Sequence, residues 1–199
     1  SRFSQVRRLV RVNDETPNTE VVDSTLEEVR ARLGGAVKPE VIRRQLDGTV
    51  TEQLSVALFA NRAILVEGTT EVCVLQGIAD RATVGRLEAL GVAVVGVGGK
   101  TNIPLAHAIL TSLGVPTYCM FDADGGFEAR ARANGKAEDK IDEERKSHVA
   151  ANHRVMEYFG LTAVDFPKET EAAEVTILED HLEALMERDW PEWNESCSS

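Results

Sequence analysis

Three apolar segments separated by helical patterns constrain the fold of this 199-residue chain more than any other feature. The first segment, Ala63–Val66, is a continuous apolar run of the kind that forms a strand buried on both faces. Further strands are predicted at Val92–Val97 and Thr117–Phe121, and the stretches between them have helical spacing. Alternation of strand and helix at these intervals predicts a parallel sheet with right-handed crossovers. We therefore expect an α/β fold, a parallel sheet flanked by helices, with functional residues at the carboxyl ends of its strands.

The residues before this alternation have a different pattern. Residues 1–23 are expected to form a β-hairpin, because an extended run is followed by a polar turn and a short return. Residues 24–61 are expected to be a helical linker of three segments. The first segment would be capped by Ser24, the second would begin at Pro39, and the third would be an amphipathic helix over residues 50–60.

Additional helical segments are predicted within and after the sheet. The helix after the first strand is expected to present an apolar face to the sheet. That face consists of Val72, Leu75, Ile78 and Ala79. A helical insertion is expected around residues 127–160, with a charged helix from about Glu138 to Phe159. A weak strand at Ala163–Phe166 and a helix near Asp180–Arg188 would follow.

Composition excludes several classes of protein. Hydrophobic residues make up 43% and charged residues 28%, which is the balance of a globular domain rather than a disordered chain. No apolar run approaches the ~20 residues of a membrane-spanning helix, so no membrane partner is expected. The three cysteines have no paired spacing, which argues against a disulfide framework and favours a cytoplasmic compartment. Since the first methionine is Met120, we expect the chain to be a piece of a longer protein.

Two features that suggest ligand sites are set aside. Gly99-Lys100-Thr101 resembles part of a phosphate-binding loop, but Val94 occupies the position of its first glycine, so no ATP site is predicted. Lys100 at the end of a strand is kept as a candidate phosphate contact. The four histidines lack metal-ligand spacing and are interpreted as structural or solvated: His107, His148, His153 and His181.

Acidic residues follow the first and third predicted strands. Glu67 ends the first strand, and Glu71 lies in the first turn of the next helix, where the helix dipole favours a carboxylate. Asp122 and Asp124 follow the third strand, and on extended backbone they would project to the same side. If the two strands are neighbours, the four carboxylates converge on a site suited to Mg²⁺ or Mn²⁺. Taken singly, each acidic motif is more often a polar turn than a functional site.

These motifs together resemble the Toprim domain of topoisomerases, bacterial primases, recombination mediators and certain nucleases. The sequence is most similar to the overcoming-lysogenization-defect (OLD) family, in which an amino-terminal ABC-type ATPase precedes a Toprim nuclease. The segments that carry the resemblance are Ile64–Glu71, Gly98–Asn102 and Asp122–Asp124. The resemblance implies a Toprim, Rossmann-like domain over residues 62–199. The hairpin would then be the tail of the preceding ATPase domain.

The resemblance also implies an activity: cleavage of DNA by a metal-dependent endonuclease that uses two divalent ions. Glu67, Glu71, Asp122 and Asp124 match the catalytic and metal-binding acids of the nuclease branch. Glu179 is the candidate for a further acidic ligand, with Glu183 in reserve. The basic residue that these nucleases use has no assigned position, and a place beyond Ser199 stays open. The ATPase domain would be a partner and a route to a homo-oligomer.

Two alternatives remain at this point. A topoisomerase- or primase-like enzyme would need a nucleophilic tyrosine or a polymerising site, and only Tyr118 and Tyr158 are available. A noncatalytic, recombination-mediator-like module would bind protein partners instead, and the presence of Glu71 favours the nuclease over it. The net charge of −11 argues against DNA binding through bulk electrostatics. DNA contact would then depend on bound metal, on the rest of the protein or on local basic patches such as Arg130, Arg132 and Lys136.

Overall fold

The structure, a computed structural model, describes residues 3–11, 18–38, 40, 42, 54–190 and 192. The chain divides into two compact units, Ser1–Cys119 and Met120–Ser199. We refer to them as the first and the second unit.

The first unit begins with the expected hairpin. After a 3₁₀ turn at Phe3–Gln5, strands β1 (Arg8–Arg11) and β2 (Thr19–Val22) pair antiparallel. Most of the connecting turn lies outside the described residues. The hairpin prediction for residues 1–23 is therefore confirmed where the structure describes it.

Helix α1 (Leu26–Leu33) confirms the first linker helix but shifts its cap by one residue. The side chain of Thr25, rather than that of Ser24, accepts the backbone N–H of Glu28. In return, the carboxylate of Glu28 accepts the backbone N–H of Thr25 at 2.7 Å and the hydroxyl of Ser24 at 3.0 Å. This is a reciprocal capping box. Gly34, with φ 54°, ends the helix in the left-handed conformation.

The rest of the linker departs from prediction in part. Of the helix expected from Pro39, the structure describes only Glu40 and Ile42, which are both helical. The start of the helix expected over residues 50–60 lies outside the described residues. Residues 54–60 form only a 3₁₀ turn at Ala57–Phe59, so the amphipathic helix is wrong there. Leu54 and Ala57 are buried, whereas Val56 and Phe59 are exposed.

Three parallel strands confirm the predicted sheet. Strand β3 (Arg62–Val66) pairs in parallel with β4 (Val92–Gly96) and with β5 (Thr117–Asp122). Helices α2 (Thr69–Ala82), α3 (Arg86–Ala89) and α4 (Ile103–Ser112) connect these strands. Residues 103–110 of α4 are all buried, as a helix that is apolar on every side requires.

Helix α2 buries a narrower face than its sequence predicts. Its two buried residues are Glu71 and Val74, and Ile78 is 47% exposed. Val72, Leu75 and Ala79 are half-buried. The predicted apolar face is thus only partly correct. The most buried side of the helix contains Glu71 and Val74 rather than the four predicted residues.

The second unit contains the end of β5, three helices and two short strands. Helices α5 (Phe127–Ala133) and α6 (Glu138–Tyr158) confirm that residues 127–160 are largely helical, and α7 (Leu182–Asp189) confirms the last predicted helix. Strands β6 (Thr170–Glu171) and β7 (Val175–Leu178) pair antiparallel. The five strands have the order β4-β3-β5-β7-β6. The fold is thus α/β, with a mostly parallel five-stranded sheet flanked by helices.

The strand predicted at Ala163–Phe166 is wrong. Residues 161–169, all of them described, contain no strand. Helix α6 and its neighbours hold this segment instead: the carbonyl of Asp165 accepts the side-chain amide of Asn152, and Phe166 stacks on Phe127 with ring centroids 5.7 Å apart. Phe166 packs against a small apolar core formed by Phe127, Ala131 and Ile141. Within the described part of the chain, no helix is long and apolar enough to span a membrane.

Candidate functional site

A glycine-rich loop wraps the end of β3 in the first unit and holds Glu67. The main-chain carbonyl of Glu67 accepts the N–H groups of Gly98 and Gly99 at 2.8 and 2.9 Å. Its Oε2 accepts the backbone N–H of Lys100 at 3.0 Å. Gly98 and Gly99 have φ values of 76° and 110°, which side-chain-bearing residues rarely adopt. The loop therefore fixes both the backbone and the carboxylate of Glu67.

Glu71 is held by the start of α2. Gly68 precedes the helix, and its backbone N–H donates to Oε2 of Glu71 at 2.8 Å. Glu71 is only 8% exposed, and it lies in the first turn of the helix, where a carboxylate interacts favourably with the helix dipole. The first unit thus presents two predicted site acids in defined conformations, each fixed by a backbone N–H.

Lys100 has a structural role that the sequence did not reveal. Its backbone N–H binds the carboxylate of Glu67, and the residue is only 7% exposed. The contact between Lys100 and a phosphate stays a prediction.

In the second unit, the backbone geometry after β5 differs from the expected one. The strand ends at Asp122, and Asp124 has φ 58°. Among the described residues, Asp124 is the only one other than glycine with positive φ. The backbone at Asp124 is therefore not extended, contrary to the expectation, and the convergence of the Asp122 and Asp124 side chains stays a prediction. Aspartate tolerates this left-handed conformation better than most residues.

The segment that follows β5 is anchored by backbone and side-chain hydrogen bonds. The N–H of Ala123 donates to the carbonyl of Leu178 at 2.8 Å, and that of Gly125 donates to the carbonyl of Glu179 at 2.9 Å. The carbonyl of Ala123 accepts the side-chain amide of Asn152 at 2.9 Å. A Cβ at position 125 would lie 2.7 Å from the carbonyl oxygen of Glu179, so only glycine fits there. The end of β7 and helix α6 together fix this segment.

His148 contacts a predicted site acid, which the sequence interpretation missed. Its Nδ1 lies 2.9 Å from Oδ2 of Asp124. Nε2 of His153, five residues further along α6, lies 3.0 Å from Oδ1 of Asp165 instead. The interpretation of His148 as merely structural or solvated is thus incomplete.

Glu179 and the neighbouring Asp180 both lie at the end of β7. Glu179, the predicted further ligand, forms an ion pair with Lys168, and its reserve Glu183 lies half-buried in α7. Asp180 forms an ion pair with Arg130. Burial alone would raise the pKa of Asp180, but hydrogen bonds from Arg130 and from the backbone of Gly126 lower it below its usual value. The hydrogen bond to Asp180 and the nearby charges of Asp124 and Asp122 raise the pKa of Arg130.

Sequence reasoning missed Asp180. The signal that could have found it is the apolar run Val175–Leu178, which is a strand and places the next residues at a strand end. Beside this strand end is a cavity of about 370 Å³. Its wall includes Gly125, Glu179 and Asp180.

The predicted basic patch is neutralised by acids of the same unit. Arg130 pairs with Asp180, Arg132 pairs with Glu128 and Glu138, and Lys136 pairs with Glu144. These three side chains are therefore not a patch of uncompensated positive charge. Of the three, Arg130 is the one whose charge acts on the predicted site acids.

The predicted ligands are carboxylates, which suit the hard cations Mg²⁺ and Mn²⁺. Among the residues that the structure describes, however, no group of three or more His, Cys, Asp and Glu side chains is arranged to hold a metal ion. Several of these acids instead accept hydrogen bonds or ion pairs from their own unit, as described for Glu67, Glu71, Asp124 and Glu179. The carboxylate oxygens of these residues are chemically suited to a divalent cation.

One segment of the chain matches a known protein family. Residues 58–124 match the family model described as the overcoming lysogenization defect protein-like TOPRIM domain. The match spans all four predicted acids, from Glu67 to Asp124. No curated protein sequence matches the chain significantly. The matched segment supports a metal-binding module of the nuclease or topoisomerase–primase type.

Proposed function

We propose that this chain, whose residues 58–124 are a Toprim domain of the OLD-like family, is the nuclease part of a metal-dependent DNA endonuclease. The observation that carries the proposal is the coincidence of that match with the four acids that follow β3 and β5. Glu67, Glu71, Asp122 and Asp124 would hold Mg²⁺ or Mn²⁺, with Glu179 as a further ligand. Two bound divalent ions would supply an activated water and stabilise the charge on the phosphate.

The chain's own residues would orient these ligands. The Lys100 N–H and the Gly68 N–H hold the carboxylates of Glu67 and Glu71. Arg130 supplies a positive charge close to the acids of the second unit. It is therefore our candidate for the basic residue whose position the sequence left open. A preorganised set of this kind lowers the cost of aligning ligands during the reaction.

The family resemblance extends the proposal to partners. DNA is the proposed substrate, an ABC-type ATPase domain is the proposed partner in a longer cytoplasmic protein, and a homo-oligomer would form through that domain. The net charge of −11 fits this arrangement, because an acidic nuclease part benefits from a partner that supplies DNA affinity.

Cleavage of supercoiled plasmid DNA tests the proposal. We expect nicked or linear product with Mg²⁺ or Mn²⁺ and none with a chelator. Asp122→Asn and Glu67→Gln should abolish cleavage, whereas Asp142→Asn, which changes an exposed acid on α6, should leave it intact. Cleavage by Asp122→Asn or Glu67→Gln at the wild-type rate would refute the proposal.

The alternatives predict different outcomes of the same experiment. A noncatalytic module that binds protein partners would neither cleave DNA nor gain thermal stability from divalent metal. A topoisomerase-like enzyme would change plasmid supercoiling and form a covalent tyrosine adduct, which Tyr118→Phe or Tyr158→Phe would remove.

A further inference from the structure

Helix α6 carries two polar side chains that contact Ala123 and Asp124, which follow β5. His148 and Asn152 are four residues apart, so they lie on the same face of the helix. The Nδ1 atom of His148 is 2.9 Å from Oδ2 of Asp124. The Nδ2 atom of Asn152 is 2.9 Å from the carbonyl oxygen of Ala123. One helix face thus contacts both the backbone and the carboxylate of the turn.

Asn152 is fully buried and donates two hydrogen bonds to backbone carbonyls. Its exposed fraction is 0%. The amide nitrogen has two hydrogens to donate. It donates to Ala123 at 2.9 Å and to the carbonyl of Asp165 at 2.8 Å. An apolar side chain is the usual occupant of such a position, so the asparagine is explained by the two carbonyls that it joins.

His148 is held so that its donor has a defined direction. Its ring packs on Phe127, with centroids 4.6 Å apart, and Phe127 in turn stacks on Phe166. An ionised carboxylate can only accept hydrogen bonds, so the contact with Asp124 requires a hydrogen on Nδ1. The aromatic packing therefore aims an N–H at one oxygen of Asp124.

Asp124 is a residue that needs such support. It is in the left-handed conformation, which side-chain-bearing residues adopt at an energetic cost. Without contacts from the surrounding structure, the turn would relax to other backbone conformations and carry the carboxylate with it. The contacts from α6 are placed to prevent this relaxation.

We propose that His148 and Asn152 are positioning residues for Asp124. Asn152 fixes the backbone next to it, and His148 fixes the orientation of its carboxylate. This inference rests on the proposed function, in which Asp124 is a metal ligand. It gives α6 a specific role: the helix holds a metal ligand in place, as residues that hydrogen-bond to metal ligands commonly do.

Variants of His148 separate the role of the N–H from that of the ring. His148→Phe keeps the packing on Phe127 and removes the donor. His148→Asn removes the ring but keeps a donor near the position of Nδ1. His153→Phe is the matched control, since it makes the same change on the same helix at a residue that contacts Asp165 instead. Asn152→Ala removes the buried amide, and thermal melting would show whether this variant folds.

Two measurements are made on each variant. The first is Mn²⁺ binding by isothermal titration calorimetry. His148→Phe and Asn152→Ala should weaken binding by about 10- to 100-fold, while His148→Asn and His153→Phe should stay within about threefold of wild type. The second is hydrogen–deuterium exchange of a peptide covering residues 122–126 without metal. His148→Phe and Asn152→Ala should accelerate exchange there, and His153→Phe should not.

Each outcome decides the proposal. Wild-type Mn²⁺ affinity in His148→Phe would overturn the role of His148, and equal losses in His148→Asn and His148→Phe would overturn the donor explanation. If the wild-type chain binds no Mn²⁺, the proposed function fails, and exchange alone decides the positioning. Accelerated exchange in His148→Phe then supports it, and unchanged exchange overturns it. Because His148 is not fully buried, this variant keeps the test decisive even if Asn152→Ala does not fold.

Discussion

Replacing Gly96 by alanine tests whether the backbone packing at the end of β3 positions Glu67. A Cβ at position 96 would lie 3.0 Å from both the carbonyl carbon and the carbonyl oxygen of Gly68. Ordinary contacts of a Cβ begin near 3.4 Å. The added methyl group would therefore meet backbone atoms rather than a flexible side chain, and the peptide group between Gly68 and Thr69, next to Glu67, would have to move.

The surroundings leave little room for this movement. The N–H of Gly68 is bound to Glu71 at 2.8 Å. The carbonyl of Glu67 accepts the N–H groups of Gly98 and Gly99. Overpacking of a well-packed site costs about 1–3 kcal/mol, so the free energy of unfolding should fall by that amount. For a chain of this size, each kcal/mol corresponds to roughly 2–4 °C in melting temperature.

Gly77→Ala is the matched control. Gly77 lies inside α2, and a Cβ there would meet nothing within 4 Å. Alanine in a helix interior is more favourable than glycine by roughly 0.5–1 kcal/mol, so this variant should be more stable than wild type. Thermal melting and urea unfolding of both variants give the difference directly.

The same pair of variants tests the link to activity. A ligand misplaced by about 1 Å can cost on the order of 100-fold in rate. Under the proposed function, Gly96→Ala should therefore lose far more cleavage activity than Gly77→Ala at a temperature where both remain folded. If Gly96→Ala is as stable as wild type, the packing argument is refuted. If it is destabilised but cleaves normally, the packing does not position Glu67.

Two further predictions concern ion pairs and the hairpin. Because the folded-state pKa of Asp180 lies below its usual value of 3.8, its contribution to stability is complete above that value and is lost as the pH falls through the lower folded pKa. Denaturant unfolding from about pH 2 to pH 6 should show this loss in wild type and a weaker dependence in Asp180→Asn; equal slopes would contradict it. Arg8→Met should lower the free energy of unfolding by about 1.5–3 kcal/mol, since Arg8 donates to the carbonyls of Leu58, Ala60 and Gly114. Arg7→Met, at an exposed ion pair, should change it by less than about 1 kcal/mol, and similar values for both variants would show that the hairpin is not anchored through Arg8.

Elements with a strong local signal could be predicted from the sequence. Strand β3 is an uninterrupted apolar run followed by an acid and a glycine, so its place in a parallel sheet and the position of Glu67 at its carboxyl end follow from general rules. The neighbours of β3 in the sheet did not follow from the sequence. The long helix α6 was predicted to within one residue at its end, because its 21 residues carry an unbroken helical pattern. Local pattern suffices where the residues that define an element are neighbours in sequence.

The missed features depend on contacts between distant residues. The hydrogen bond from Asn152 to Ala123 spans 29 positions, and no local spacing indicates it. Residues 163–166 were expected to be a strand because of their apolar character. They are irregular instead, and contacts with Asn152 and Phe127 hold Asp165 and Phe166. Strand β7, in contrast, was not predicted. Val175–Leu178 is short and follows acidic residues, so its pairing with β6 could not be inferred from the local sequence.

The charge distribution also changes how DNA binding should be understood. A net charge of −11 would repel DNA if it were spread evenly. In the second unit, the basic side chains Arg130, Arg132 and Lys136 are ion-paired, so they add little to any long-range attraction. Under the proposed function, the repulsion near the site falls only when divalent cations offset the acids. Metal binding and DNA binding must then strengthen one another, because each ligand reduces the electrostatic cost of the other.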